Sequence, residues 1–182
     1  MSANRVRIIG GRYRRRILRF PDRPGLRPTP DRVRETLFNW LGQDLTGREC
    51  LDLFAGSGAL GFEAVSRDAR RVVMVEQDRQ AWQALAANVA ALDCGSVVEL
   101  VRADALEFVR DADRAFDIVF LDPPFDSGLL ARLAAALPRL TRPGGMVYVE
   151  SSHGVDLDAA WRLHREDRAG QVTYQLFSHE NQ

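Results

Sequence analysis

Asp52-Leu53-Phe54-Ala55-Gly56-Ser57-Gly58-Ala59-Leu60-Gly61 follows a short apolar run and leads into a helical pattern. Glycines at that junction let the backbone turn tightly and bring its amides close to a ligand at a helix N-terminus. Outward from this stretch, strand-like runs at 50–54, 71–76, 97–101, 116–121 and 146–150 alternate with helical patterns at 60–67, 79–92, 106–110 and 129–137. Such alternation implies βαβ units and a parallel sheet. The tail differs: 161–165 and 172–177 read as two strands around Arg168-Ala169-Gly170, a hairpin closing one edge of the sheet.

Upstream, Val6-Arg7-Ile8-Ile9, Gly10-Gly11 and residues 13–20 read as a β-hairpin with a glycine turn, followed by a Pro- and Gly-punctuated loop over 21–28. Thr29-Pro30-Asp31 predicts a helix start with Thr29 as N-cap and Pro30 at the first helical position. Val33, Leu37, Phe38 and Leu41 follow at helical spacing, so this helix has an apolar face to bury. The reading is an α/β chain with a Rossmann-like, mostly parallel sheet, a C-terminal antiparallel hairpin and an N-terminal basic β-hairpin. It divides into an extension over 1–28 and a main domain over 29–182.

The 182 residues suffice for one domain with a sizeable core. At 46% hydrophobic and 27% charged, the composition is that of a globular protein. No apolar run reaches the roughly 20 residues that span a bilayer, and the basic N-terminus lacks the apolar stretch of a secretory signal. Cys50 and Cys94 make neither a disulfide framework nor a metal cluster, so a reducing, cytoplasmic location is expected. His153, His164 and His179 show no triad or metal spacing. Net charge is zero but unevenly divided. Residues 1–34 hold eleven Arg against two Asp, and the remainder holds fourteen Arg against twenty-three acids. A basic arm on an acidic body suggests a polyanionic partner.

Four constellations carry chemistry. Gly56-x-Gly58-x-x-Gly61 formally matches the dinucleotide fingerprint, a weak signal alone. Asp52 disfavours NAD, because a carboxylate there would repel a pyrophosphate yet suit S-adenosylmethionine, which has an ammonium and a sulfonium and no phosphate. Glu76, closing Val72-Val73-Met74-Val75, can accept both ribose hydroxyls of a nucleoside. Asp104-Ala105 can receive an adenine amino group or simply cap a helix, and the residues leave both readings open. Asp122-Pro123-Pro124-Phe125 follows the fourth strand. Its prolines hold the loop out of helix and sheet, so one carboxylate, one rigid carbonyl and one aromatic face lie side by side. Those groups suit a flat base bearing an NH₂.

Asp-Leu-Phe-Ala-Gly-Ser-Gly together with Asp-Pro-Pro-Phe resembles the class I methyltransferases that modify exocyclic base amines. More narrowly, Arg5 to Leu18, Arg27-Pro28-Thr29 and Asp31-Arg32-Val33-Arg34-Glu35-Thr36-Leu37-Phe38 resemble the RsmD family of bacterial small-subunit (16S) ribosomal RNA guanine-N2-methyltransferases. The likeness runs from about Arg5 to Phe177; Arg15 stands where the family pattern has glycine and Pro30 where it has threonine.

The resemblance implies methyl transfer from S-adenosylmethionine to a guanine amine in ribosomal RNA, within a partly assembled small subunit. It implies cofactor contacts from Asp52, Phe54, Ala55, Gly56, Ser57, Gly58, Gly61, Glu76, Gln77, Asp104 and Ala105. Reaction-loop roles fall to Asp122, Pro123, Pro124 and Phe125. Arg5, Arg7, Arg12, Arg14, Arg15 and Arg16 are expected to anchor phosphates, and Arg27, Arg32 and Arg34 to border the cleft. A monomer without metal or membrane contact is expected. A DNA amino-methyltransferase and a non-catalytic RNA-binding protein of the same fold remain the alternatives.

Overall fold

In the computed structural model, which describes residues 3–125 and 127–180, seven strands form one sheet. The chain runs β1 (Ala3–Arg7), β2 (Ile17–Pro21), α1 (Asp31–Leu41), β3 (Glu49–Asp52), α2 (Ala59–Ser66), β4 (Arg71–Val75), α3 (Arg79–Leu92) and β5 (Val98–Val101). It continues through α4 (Ala105–Asp111), β6 (Phe116–Leu121), α5 (Leu129–Ala134), α6 (Leu137–Leu140), β7 (Thr141–Ser151), β8 (Trp161–Ala169) and β9 (Val172–His179). Strand order across the sheet is β5-β4-β3-β6-β7-β9-β8. The first five are parallel, and β9 and β8 pair antiparallel at the edge. No helix among the described residues is long and apolar enough to cross a membrane.

This order matters because the chain leaves β3 toward β4 and β5, then returns to place β6 on the other flank of β3. That reversal opens a crevice at the carboxyl ends of β3 and β6, where α/β sheets receive ligands. Both sheet faces are covered, so the central strands are apolar throughout rather than alternating. One layer holds Leu51, Val73, Val119 and Val147 with Leu133, Leu137 and Leu140. The other holds Cys50, Val72, Met74, Phe120 and Tyr148 with residues of α1, α2, α3 and the hairpin.

Local reasoning places most elements within a few residues, and the exceptions have physical causes. The pattern at 129–137 is two helices, because Pro138 cannot continue a helix interior but is tolerated in the first turn of α6. Strand β7 begins at Thr141, five residues before the apolar run. Helix α1 has Pro30 at its N-cap position with no side-chain cap. The expected cap, Thr29, is buried and directs its hydroxyl to Glu150 Oε1 at 2.8 Å.

The N-terminal hairpin pairs β1 and β2 as expected, but its connection is not a tight glycine turn. Ile8 N–H donates to the Arg16 carbonyl and Arg15 N–H to the Ile8 carbonyl, and the chain between them folds onto the C-terminal end of α2. There Arg12 N–H donates to the Ser66 carbonyl at 2.7 Å, and the Ser66 hydroxyl donates to the Gly10 carbonyl at 2.5 Å. A Cβ on Gly11 would lie 1.8 Å from the Ser66 carbonyl oxygen. Close approach to a helix end, more than the turn itself, is what demands glycine there. Val6, Ile8, Leu18 and Phe20 enter the same core as α1 and α3, and the Asn88 amide brackets Arg19 through both its backbone N–H and its carbonyl. The extension up to residue 28 thus shares the main domain's core.

A buried ion cluster fastens these parts. Glu63, fully buried on α2, accepts from Ile9 N–H at 2.6 Å, from Arg34 at 2.8 Å and from Arg67. Arg34 also donates to the carbonyls of Thr29 and Arg7 and to Asp31. Arg67 lies over the Phe38 ring at 4.2 Å. This corrects the expectation for Arg34: its guanidinium is 0% exposed, with its donors bound internally, and cannot reach a phosphate.

Two stability outcomes follow. Glu63→Ala leaves two buried guanidiniums without their shared counter-charge and should cost about 3–5 kcal/mol in denaturant unfolding; a loss under about 1 kcal/mol would deny the cluster its role. Arg15 occupies the left-handed region at φ 70°, where side chains are strained. Arg15→Gly should therefore raise stability by about 0.5–1 kcal/mol, the relieved strain being partly offset by glycine's greater unfolded freedom. A fall in melting temperature would contradict this.

Candidate active site

Four parallel strands end in, or one residue short of, an acid at the crevice. Asp52 closes β3, Glu76 follows β4, Asp122 follows β6, and Glu150 lies near the end of β7. Asp52, Glu76 and Asp122 sit where a strand gives way to a loop, so their carboxylates can reach loop amides or a ligand, whereas Glu150 is still paired in the sheet, opposite Tyr174.

Asp52 and Glu76 organise the glycine loop. Asp52 is 2% exposed and accepts from Gly61 N–H at 3.0 Å, with a further bond from Phe54 N–H. Burial pushes its carboxyl up to about 7, against the pull of those two amides. Glu76 accepts from Gly56 N–H at 2.9 Å through one oxygen and from Asp78 N–H at 2.7 Å through the other. The loop is therefore tied to β3 and β4 at once, and Ala55 N–H adds a bond to the Val75 carbonyl.

Gly58, at φ 80° before α2, packs so close that an added Cβ would meet the Phe62 and Leu85 side chains at 2.6–2.7 Å. Gly61 likewise lies against Met74. Gly56 is less crowded: a Cβ there would make ordinary contact with the Phe54 carbonyl oxygen and with Leu26, which roofs the turn, each at 3.8 Å. That roof belongs to the 21–28 loop, which Arg23 pins to Asp78 at 2.5 Å. Neither Arg23 nor Leu26 was legible as a site residue, because only the fold brings them over the glycine loop.

The remaining cofactor candidates divide. Ala55 and Ser57 are buried, Phe54 is half-buried and Gln77 is exposed. Asp104 caps α4, its Oδ1 accepting from Leu106 and Glu107 N–H at 2.8 and 3.3 Å; Ala105 opens that helix and is buried. A set of carboxylates around a loop whose amides are largely taken by Asp52, Glu76 and the Val75 carbonyl, with no arginine from Asp52 to Gly61, suits hydroxyls and amines better than phosphates. S-adenosylmethionine fits that donor set and NAD does not.

Beyond β6, Asp122 is partly buried, Pro123 is buried, and Pro124 and Phe125 are exposed. The Phe125 ring is 45% exposed, one of three large apolar side chains so placed among the described residues. Burial raises the Asp122 carboxyl well above the usual range, and the charges of Glu150 and Asp52 add to the shift. Glu150 had no assigned role from sequence, although Val147-Tyr148-Val149-Glu150 repeats the apolar-strand-then-acid pattern that marks Glu76. It is 5% exposed and accepts from Thr29 and from the Tyr148 hydroxyl at 2.9 Å.

The candidate RNA-facing arginines also divide. Arg5, Arg7, Arg12, Arg14, Arg15, Arg16, Arg27 and Arg32 are exposed. Arg7 pairs with Asp31, Arg12 with Asp68, and Arg16 donates to the Ala91 carbonyl. Arg5, Arg14, Arg15, Arg27 and Arg32 form no ion pair among the described residues.

Comparison with known proteins gives the family. The family described as Conserved hypothetical protein 95 matches residues 6–178. Ribosomal RNA small subunit methyltransferase D of Escherichia coli is 46% identical, covering 100% of this chain and 93% of that protein. Its namesake in Haemophilus influenzae is 41% identical over 94% of this chain and 93% of its own length. A solved structure of the Escherichia coli protein yhhF is 45% identical, covers 98% of this chain and 100% of that one, and superposes with a TM-score of 0.89. With the family match spanning nearly the whole sequence, the chain belongs to the Conserved hypothetical protein 95 family, the RsmD family.

Proposed function

We propose that this protein transfers a methyl group from S-adenosylmethionine to the exocyclic N2 amine of a guanine in 16S ribosomal RNA. The observation that carries the reading is the Asp122-Pro123-Pro124-Phe125 loop at the switch point of the sheet, beside the glycine loop, with the Phe125 ring facing solvent. The names of the Escherichia coli and Haemophilus influenzae relatives support ribosomal RNA as the substrate class.

Bound S-adenosylmethionine supplies a methyl group activated by its sulfonium. Glu76 is the residue to accept the ribose hydroxyls, its oxygens each keeping a lone pair beyond the amides they hold. Asp104 keeps Oδ2 for the adenine amine, since both capping bonds use Oδ1. The Gly56 region offers backbone to the amino-acid moiety, with Asp52 behind it.

The acceptor amine is the difficult partner, because its lone pair is delocalised into the ring. Asp122 and the Pro123 carbonyl would each accept one of its hydrogens, favouring a pyramidal nitrogen. With S-adenosylmethionine bound, the nitrogen lone pair would take up the methyl group and the sulfur would keep the C–S electron pair. The extra proton on nitrogen then passes to the Asp122 carboxylate. Phe125 would stack on the extruded base and hold the nitrogen in line. Arg5, Arg14, Arg15, Arg27 and Arg32, exposed and without internal ion pairs, would hold phosphates, with Arg7, Arg12 and Arg16 joining by exchanging their surface partners.

Asp122→Ala should abolish most single-turnover methylation of small-subunit RNA while cofactor affinity, measured by calorimetry, stays within about a factor of a few. Near-normal turnover would remove Asp122 from the reaction. Phe125→Leu should be milder, losing base stacking of about 1–3 kcal/mol. For the arm, Arg14→Glu with Arg27→Glu should weaken RNA binding and flatten the dependence of log affinity on log salt by roughly 0.7 per lost phosphate contact. An unchanged salt slope would show that these arginines do not touch RNA.

A further inference from the structure

Glu150 is a buried carboxylate that the proposed chemistry leaves unused, and its surroundings give it a task. Strands β6 and β7 run parallel with Phe120 opposite Tyr148 and Leu121 opposite Val149. The next residues along the chain are Asp122, just past the end of β6, and Glu150, still in β7; continuing the register by one pair would set them one inter-strand spacing apart, about 4.8 Å. Side chains alternate along a strand, so both acids continue the face that carries Phe120 and Tyr148, whose rings lie 6.4 Å apart edge to face. Two hydroxyls hold Glu150: Tyr148 from the same strand and Thr29 from the segment that joins the basic hairpin to α1. Thr29 in turn follows Arg27 and Pro28, and its carbonyl is gripped by the buried Arg34.

We propose that Glu150 is a positioning residue acting through Asp122: held by Thr29 and Tyr148, it sets by its charge how strongly Asp122 accepts the substrate amine's hydrogens and proton. The inference rests on Asp122 being the acceptor in the reaction. It gives the buried acid pair a reason to exist. Two carboxylates at this spacing without a bridging cation do not both ionise readily, so each raises the other's proton affinity. Among the described residues no Arg or His forms an ion pair with Asp122, Glu150 or Asp52.

The other charged or titratable groups facing the pair are Asp52 on β3, which acts on Asp122, and Tyr148 with Tyr174 behind it on β9. Glu76 reaches the pair only through Asp52. The hydroxyls of Thr29 and Tyr148 favour the ionised form of Glu150, against its burial. Burial still raises the Glu150 carboxyl on balance, but Asp122, which has no such hydroxyl partners and feels the charges of Glu150 and Asp52, is raised well above its ordinary range and is the stronger base of the two. The Thr29 bond ties the 27–29 segment, where the exposed Arg27 lies, to β7, the strand beside β6.

The test is the pH profile of single-turnover methylation for Glu150→Gln, with Thr29→Val and Asp122→Asn alongside. Glutamine keeps a carbonyl oxygen for both hydroxyls but removes the charge. Activity requires ionised Asp122, so the rate rises with pH through the pair's apparent pKa. Without the neighbouring charge Asp122 ionises more easily, and the acidic limb should move to lower pH by about one unit or more. The plateau rate should fall several-fold, while cofactor affinity and the thermal transition hold. Thr29→Val should shift the limb the same way by less. A reduced plateau with the limb unmoved, or a wild-type profile, overturns the inference for Glu150. If Asp122→Asn itself keeps the wild-type rate, the failure lies in the reading of Asp122 instead.

Discussion

The carboxylate of Glu63 is the point on which the arrangement turns. It lies out of reach of water, between the guanidiniums of Arg34 and Arg67, and holds the backbone amide of Ile9 as a third partner. Through those bonds one side chain on α2 fixes α1, the hairpin and the loop leading to β4. Buried ion clusters are seldom the most stable filling for a core, since apolar residues of equal volume often do better. What this one supplies is registration, because charged groups buried here tolerate only one geometry. Helix α2 begins at the glycine loop and ends against Gly10 and Gly11, so a single helix joins the cofactor crevice at one end to the basic hairpin at the other.

At the opposite end of the sheet, arginines and acids neutralise one another, as Arg70 and Arg142 do around Glu49, whose carboxyl is held down to about 2. At the carboxyl ends of β3, β6 and β7 the acids have no such partners among the described residues. Asp52, Asp122 and Glu150 are all raised, with burial the first cause of each. The contrast separates a structural rim, where charges are paired, from a crevice whose acids have no cationic side chain bound to them among the described residues, an environment suited to cationic or hydrogen-donating ligands. A sulfonium, an ammonium and a base amine are ligands of that kind.

Local pattern was enough to find the crevice and not enough to find what supports it. The alternation of apolar strands with helices, the Gly56-Ser57-Gly58 turn and the prolines after Asp122 each state their geometry within a few residues, and the sheet obeys them. Arg34 could not be read the same way. In sequence it is one more arginine of a basic arm, and only the distant Glu63 reveals that it is internal. Thr29 looks like a helix cap because Pro30 and Asp31 follow it, yet its partner is 121 residues away on β7. Arg15 shows the converse: the position that the resemblance set against a glycine adopts a left-handed backbone, which composition alone would not disclose. Long-range electrostatics and close backbone approach escaped the sequence because neither leaves a periodic trace.

The most direct measurement of the central claim is methyl transfer by the purified protein from labelled S-adenosylmethionine into partly assembled small ribosomal subunits, with nuclease digestion and mass spectrometry of the 16S RNA. The account expects label in a single N2-methylguanosine, absent from the same nucleotide in RNA of a strain lacking the protein. Label on adenine, on a ribose hydroxyl or in DNA, or no incorporation by a protein that binds the cofactor, would contradict it.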